Sequence, residues 1–302
     1  MYHINSISDY HKLAGLPKPE HPLVSLVDYS QVNYPNDQEE ISLVQGNYVI
    51  ALKRGVQGKM RYGQQPYDFD EGLMSFIAPQ QVVRIKTHVN PEQKPSGWLL
   101  LFHPDFLWNT SLAQSIREFD FFDYEVHEAL FLSDKEEQSI MGIMQNIRQE
   151  YHSNIDAFSQ KIIISQMEVL LNYAQRFYQR QFITRKKSNH EILSKLEQLL
   201  QDYFDQQDLR HSGLPQVQDL ADQLNLSPNY LSSMLKVVTG QNTQQHIHNK
   251  LIEKAKEKLT STQLSVSEIA YDLGFEHSQS FSRLFKNKVK VSPLEFRRWF
   301  EK

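Results

Sequence analysis

Between about residues 21 and 107, apolar positions gather into short runs: 21–32, 48–56, 73–77 with 82–86, and 98–103. Each run is rich in β-branched and aromatic residues, and Gly, Pro, Asn and Asp stand between them, the signature of strands closed by turns. Their even spacing predicts a sandwich or barrel rather than alternating βαβ units. At Ser133 the period changes. Ser133 and Glu136 form an S-x-x-E capping box, in which each side chain satisfies an orphan backbone N–H. Ile140, Ile143, Met144, Ile147 and Tyr151 then fall on one helical face. A second helix is predicted over 155–182. Ile163, Met167, Leu170, Ala174 and Phe177 follow a 3–4 spacing, with Ile162, Ile164, Val169, Leu171 and Tyr178 beside them. An apolar arc this wide implies burial on two sides. The second side is either more of the same domain's core or a partner subunit, and Leu171 and Tyr178 are the candidates for a partner-facing surface.

A polar, basic stretch, Thr184-Arg185-Lys186-Lys187-Ser188-Asn189, reads as a domain junction, and helix resumes over 190–204. After a Gly213-Leu214-Pro215 turn comes an internal repeat. Val217-Gln218-Asp219-Leu220-Ala221 matches Val266-Ser267-Glu268-Ile269-Ala270, and Leu224-Asn225-Leu226 matches Leu273-Gly274-Phe275. One inserted residue later, Leu231, Met234, Leu235 and Lys236 match Phe281, Leu284, Phe285 and Lys286. Each copy has the parts of a helix-turn-helix: a short helix with an Ala at the close approach, a turn residue tolerant of left-handed backbone (Asn225, Gly274), and a second helix. In the first copy Ser227 is the expected N-cap, Pro228 the first helical residue and Gly240 the closing cap. In the second, Ser265 with Glu268 and Ser292 with Glu295 make two further capping boxes, the latter with Pro293 at the first helical position.

Once the apolar residues of each second helix are buried, polar ones are left over: Asn229, Tyr230, Ser232, Ser233 and Lys236 in the first copy, and Ser278, Gln279, Ser282, Arg283 and Lys286 in the second. Short hydroxyl, amide and guanidinium groups on a helix are what reach base edges and phosphates in a major groove. Charge supports this locally. The chain carries a net −4, but from residue 184 onward there are 17 Lys+Arg against 14 Asp+Glu, a net +3, and the remainder is −7. That sign suits a C-terminal module that meets phosphates.

Residues 190–302 resemble the DNA-binding domain of AraC/XylS transcription regulators. The resemblance is carried above all by Ser267-Glu268-Ile269-Ala270, Leu273-Gly274-Phe275, Phe281-Ser282-Arg283-Leu284-Phe285-Lys286 and Ser292-Pro293-Leu294-Glu295-Phe296-Arg297. It implies a long helix joining the two units, for which residues 243–259 are available. At about 1.5 Å per residue they span roughly 26 Å, enough to hold two recognition helices near one DNA turn apart. Leu251 departs from the pattern, since that family often carries Arg there, and one backbone contact drops out of the carry-over. The resemblance also implies an N-terminal cupin-like β-domain followed by helices that pair two subunits.

The expected organisation is therefore α+β and multidomain. A β-sandwich or cupin-like sensor domain covers 1–132, a helical extension for dimerisation 133–183, and a linker 184–190. An all-α DNA-binding domain covers 191–302, with helix-turn-helix units at about 216–240 and 265–289. The expected function is sequence-specific regulation of transcription. The partners are double-stranded DNA, a second copy of the chain, RNA polymerase as a further candidate, and a small-molecule effector whose identity the sequence does not give. A regulator without a small-molecule ligand, controlled by abundance or a protein partner, is the alternative. A cupin enzyme fused to a helical domain is the weakest reading, because no H-x-H pair occurs in the β-region, and His88 and His103 stand singly. His246 and His248 have that spacing, but on a helix they point to different faces. No catalytic residue, metal or cofactor is expected. With no cysteine, disulfides and thiolate metal sites are impossible. Tyr34, Tyr48, Tyr62, Tyr67, Phe69, Phe76, Trp98 and Phe102 either pack the core or line an apolar pocket. Met1-Tyr2-His3-Ile4-Asn5 has no basic stretch leading into an apolar run, and no apolar run is long enough to span a bilayer, so a cytoplasmic protein without membrane contact is expected.

Overall fold

In the computed structural model of the chain, which describes all residues except 36–39, 55–71, 87–95, 126–127, 154–155, 157, 207–208 and 300–302, eight strands and twelve α-helices follow one another. Strand β1 (Tyr2–Ile4) and helix α1 (Ile7–Leu13) precede β2 (Val24–Asp28), β3 (Glu40–Gln45), β4 (Tyr48–Arg54), β5 (Gly72–Ile77), β6 (Val82–Lys86) and β7 (Ser96–Phe102). A one-turn helix α2 (Leu112–Ser115) and β8 (Leu130–Leu132) lead to α3 (Asp134–Tyr151) and α4 (Ser159–Thr184). The strands form a three-stranded sheet, β1-β3-β6, and a five-stranded sheet, β2-β7-β4-β5-β8. All pairings are antiparallel except β1 with β3. The predicted sandwich is present, and the runs 73–77 and 82–86 belong to different sheets.

The core between the sheets is built from alternate residues. Ile41 and Leu43 on β3, Val49 and Ala51 on β4, and Leu99 and Leu101 on β7 point into it, joined by Ile7 and Tyr10 of α1. The intervening residues Ile50, Leu52, Leu100 and Phe102 are equally buried on the other face of the five-stranded sheet. A sheet covered on both faces needs apolar residues at every position, which is why β4 and β7 read as unbroken apolar runs rather than alternating ones. Helices α3 and α4 pack on each other and on β8. Edge strand β8 would otherwise expose backbone groups, a liability for sheet edges. Gln181 of α4 accepts from the Phe131 N–H at 2.9 Å and donates to the Ala129 carbonyl at 3.2 Å, and Arg180 donates to the Phe131 carbonyl at 2.7 Å. The Ser133–Glu136 box starts α3 as predicted, Glu136 accepting from the Ser133 N–H at 2.9 Å and also pairing with Arg180. Glu137, buried, pairs with Arg54 at the end of β4.

On helix α4 the second apolar side belongs to the core of the same unit, the first of the two alternatives, and the partner-facing candidates are corrected. Leu171 and Tyr178 are buried within the unit, Tyr178 stacking on Phe121 at 5.5 Å and meeting Tyr124 edge-on at 5.2 Å. The surface that faces solvent carries Phe158, Ile162, Val169 and Ile183 instead. Leu171→Glu or Tyr178→Glu is therefore expected to unfold this unit rather than to dissociate subunits, because either puts an unpaired carboxylate into the core. A thermal midpoint lowered by several degrees, with poor recovery of soluble protein, is the outcome to look for.

The aromatic residues of the β-region that are described go into packing. Tyr10 and Tyr34 share a hydroxyl hydrogen bond of 2.9 Å, Tyr48 stacks on Phe102 at 5.0 Å, and Phe76 packs on Phe121 and Phe122. Trp98 receives Arg148 over its ring at 5.0 Å. His103 accepts from the Asp105 N–H at 3.2 Å and so caps the turn that follows β7. Tyr62, Tyr67, Phe69 and His88 lie outside the described residues.

Contacts divide the chain into two units, Met1–Thr184 and Arg185–Lys302. Among its described residues the elements of the second are all helices: α5 (Lys186–Gln206), α6 (Leu209–Ser212), α7 (Val217–Gln223), α8 (Pro228–Thr239), α9 (Thr243–Ser261), α10 (Val266–Asp272), α11 (Ser278–Val289) and α12 (Pro293–Arg298). Helix begins at Lys186, so most of the stretch read as a junction is the first turn of α5. Helix α5 packs on α8 and α9 through its buried Leu196, Leu200 and Phe204. Among the described residues no helix is long and apolar enough to cross a membrane.

Candidate nucleic-acid interface

The repeat folds twice into the same device. Helices α7 and α10 are the leading helices, and their Ala221 and Ala270 are fully buried at the contact with α8 and α11. The turns between them use the predicted residues in the predicted conformation: Asn225 has φ +54° and Gly274 φ +81°. Ser227 caps α8 by accepting from the Tyr230 N–H at 3.2 Å, and Gly240 ends it at φ +77°. Helix α11 ends the same way at Lys290, φ +71°, a costlier position for a side chain than for glycine. The boxes at Ser265–Glu268 and Ser292–Glu295 are both formed. A further one, Asn242–Gln245, starts α9 and was not foreseen.

Beneath the recognition helices α8 and α11 lie apolar cores. Leu231, Met234 and Leu235 are fully buried in the first unit. In the second, Phe281 and Phe285 sit in a chain of rings that runs from Phe275 through both to Phe296. The connecting helix α9 contributes Ile247, Leu251, Ile252, Ala255 and Leu259 to the interior. Leu251, which departs from the family pattern, is thus a core residue.

Of the ten side chains expected on the outer faces, nine are at the surface. Asn229, Lys236, Gln279, Arg283 and Lys286 are exposed, and Ser232, Ser233, Ser278 and Ser282 are half-buried. Tyr230 is the correction, since its ring is fully buried. Four residues before Met234, it lies on the same helical stripe as the core, and that spacing was the available signal. Ser232 is partly committed as well, its hydroxyl lying 2.9 Å from that of the buried Thr243 at the start of α9. Arg283 and Gln279, one turn apart on α11, form no hydrogen bond or ion pair with the described residues. Sequence reasoning passed over Asn287 and Lys290, which are also exposed on this face, while Lys288 turns toward Asn249 of α9; from Ser278 to Lys290 there are four cations and no acid. Helix α8 offers one cation, Lys236. The His246 and His248 imidazoles on α9 have pKa values lowered chiefly by burial, and they bond to Thr239 at 2.9 Å and Gln244 at 3.1 Å. Among the described residues no group of three or more His, Cys, Asp or Glu side chains is placed to hold a metal ion.

Several known proteins are similar to this chain. Residues 220–298 match the helix-turn-helix domain family. The HTH-type transcriptional regulator YfiF of Bacillus subtilis is 26% identical over 87% of this chain and 70% of its own length. The HTH-type transcriptional activator RhaS of Escherichia coli O157:H7 is 37% identical over 26% of this chain, which spans only 28% of RhaS. Among solved structures, the C-terminal domain of AraT, a response regulator of Geobacillus stearothermophilus, is 36% identical over 35% of this chain and 84% of that one, with a TM-score of 0.31.

Proposed function

We propose, the chain being a DNA-binding transcription regulator with an AraC-type helix-turn-helix domain at its C-terminal end, that it binds promoter DNA as a homodimer and answers to a small-molecule effector through residues 1–184. On this reading α8 and α11 enter successive major grooves. Arg283 and Gln279 read base edges, with Asn229, Ser233, Ser278 and Ser282 as supporting contacts, and Lys236 and Lys286 meet phosphates. The protein works in the cytoplasm and acts on RNA polymerase at the promoter. The single observation that carries the DNA reading is the acid-free outer face of α11, where Arg283, Lys286 and Lys290 stand exposed beside Gln279.

Selection of binding sites from a random DNA pool tests it: a bipartite consensus supports the reading, and recovery of unenriched sequence sinks it. Lys286→Ala provides a second check. It should weaken binding to all sequences alike and reduce the slope of log affinity against log salt by about one unit. An unchanged slope would remove Lys286 from the phosphate contacts.

The second copy is supported by the outer stripe of α4. Ile162, Val169 and Ile183 are 43%, 43% and 55% exposed and stand at multiples of seven residues, the spacing of a helix-pairing seam. Phe158, 66% exposed, extends it. The effector is supported by the separate β-rich unit, which lies outside the two helix-turn-helix units. Melting the protein against a metabolite panel separates this from control by abundance alone, because a ligand that binds only the native state raises the midpoint.

A further inference from the structure

The second helix-turn-helix unit is not simply strung on α9; it is gripped by the segment that precedes the first unit. Asp272, the last residue of α10, has a side chain only 13% exposed. It accepts from Arg210 of α6, through Nε at 2.7 Å and through Nη2, and from Lys258 near the end of α9 at 3.2 Å. Burial works to raise the carboxyl's pKa, but the hydrogen bonds and charges of Arg210 and Lys258 outweigh it and hold the group below its ordinary range. Two residues on, the turn at Gly274 lies against backbone: a Cβ there would stand 2.8 Å from the Leu209 carbonyl oxygen and 3.2 Å from the Gly213 carbonyl carbon. On the far side of α9 a third tie runs through one amide. Asn249 donates to Gln241, just beyond α8, at 2.6 Å and accepts from Lys288 of α11 at 3.0 Å.

We infer that Asp272 is a positioning residue that fixes the distance and rotation between the two recognition helices, and so sets which spacing between two DNA half-sites the protein accepts. This rests on the reading that both units engage one duplex. Arg210 and Lys258 converge on a single carboxylate, so neutralising it does more than delete an attraction. It also leaves Arg210 and Lys258 close together over the hinge of α9 and α10, with Glu268 the carboxylate still near Arg210, and the clasp loosens. One inserted base pair displaces a half-site by about 3.4 Å and rotates it by a tenth of a turn, which a rigid pair of helices does not follow. A loosened pair does.

The test uses the full-length protein and its selected site, with one or two base pairs inserted between the segments covered by α8 and α11. For the wild type, one insertion should lower affinity by about tenfold or more, and in Asp272→Asn that penalty should shrink to about threefold, since spacing and deformation costs of this size are ordinary for specific DNA contacts. Lys258→Met, which removes one arm only, should fall between them and keeps the test available where Asp272→Asn fails to fold. A purely structural role would lower the melting midpoint and both affinities by one factor, leaving the ratio between sites unchanged, and that result overturns the clasp while leaving the two-unit reading intact. A wild type that tolerates the insertion without loss overturns both.

Discussion

Val169→Glu is expected to leave the protein folded, halve its mass in solution and lower its affinity for the full DNA site by about 100-fold or more, the usual scale when two linked binding modules become one. Val169 sits mid-way along α4 on the face opposite the buried Met167, Leu170 and Ala174, so the new carboxylate meets water in the isolated subunit. In a two-fold interface every substitution occurs twice. An antiparallel pairing centred on the middle of α4 sets Phe158 of one copy against Ile183 of the other and brings the two Val169 positions close to the axis, where two glutamates repel each other across an apolar seam. The stripe suits a second copy because between Lys161 and Arg176 its solvent side is almost uncharged: Ser165, Gln166, Asn172 and Gln175 flank the apolar residues, and Glu168 is engaged by Ser111 at 2.5 Å. Light scattering decides the first part and titration against whole and half sites the second. A folded Val169→Glu variant with unchanged mass would show that this face pairs with nothing, and a dimer would have to be sought elsewhere.

How far the sequence was legible depended on whether a local rule or a long-range contact decided each element. Asn225 and Gly274 were readable because a left-handed turn accepts few residues, and Ser227, Gly240 and the Ser265 and Ser292 boxes because capping is a contact across three or four positions. Strands β1 and β8 were not readable. Each is three residues long, and each exists only through a distant partner: β1 through β3, and β8 through β5 on one side and the Arg180 and Gln181 side chains on the other. Strand β3 carries its alternation at Ile41 and Leu43 in the sequence itself. On α4 the amount of apolar surface was legible but its assignment was not. Tyr178 faces inward because Phe121 and Tyr124, in a short aromatic segment more than 50 residues earlier, fold over it. In the recognition helices the same distinction separates Arg283, whose exposure follows from the period of its own helix, from Ser232, whose hydroxyl is held by Thr243 of another.

Arg283→Ala is expected to reduce affinity for the selected site by about 1–3 kcal/mol, roughly 5- to 150-fold, and to relax preference at one base position. The structure sharpens the reason. Once Tyr230 is buried and the Ser232 hydroxyl is turned toward Thr243, α8 is left with Asn229, Ser233 and Lys236 to face DNA, and it has no guanidinium. Helix α11 keeps Arg283 and Gln279 exposed one turn apart, with Lys286, Lys288 and Lys290 toward its C-terminal end. The planar fork of Arg matches the O6 and N7 acceptors of guanine, and an amide matches adenine, so this pair can read neighbouring bases while Lys286 and Lys290 hold the backbone. The second unit should then supply at least as much discrimination as the first, and Asn229→Ala should cost less than Arg283→Ala. Glu276, two residues before α11, is the nearest candidate in sequence to neutralise Arg283, yet no ion pair forms between them among the described residues. Site selection with wild type and variant separates the roles. Loss of information at one position under α11, with the rest of the consensus intact, marks a base contact. A consensus unchanged at every position with uniformly lower affinity would mean that Arg283 clamps phosphate, and that sequence is read by Gln279 and the first unit.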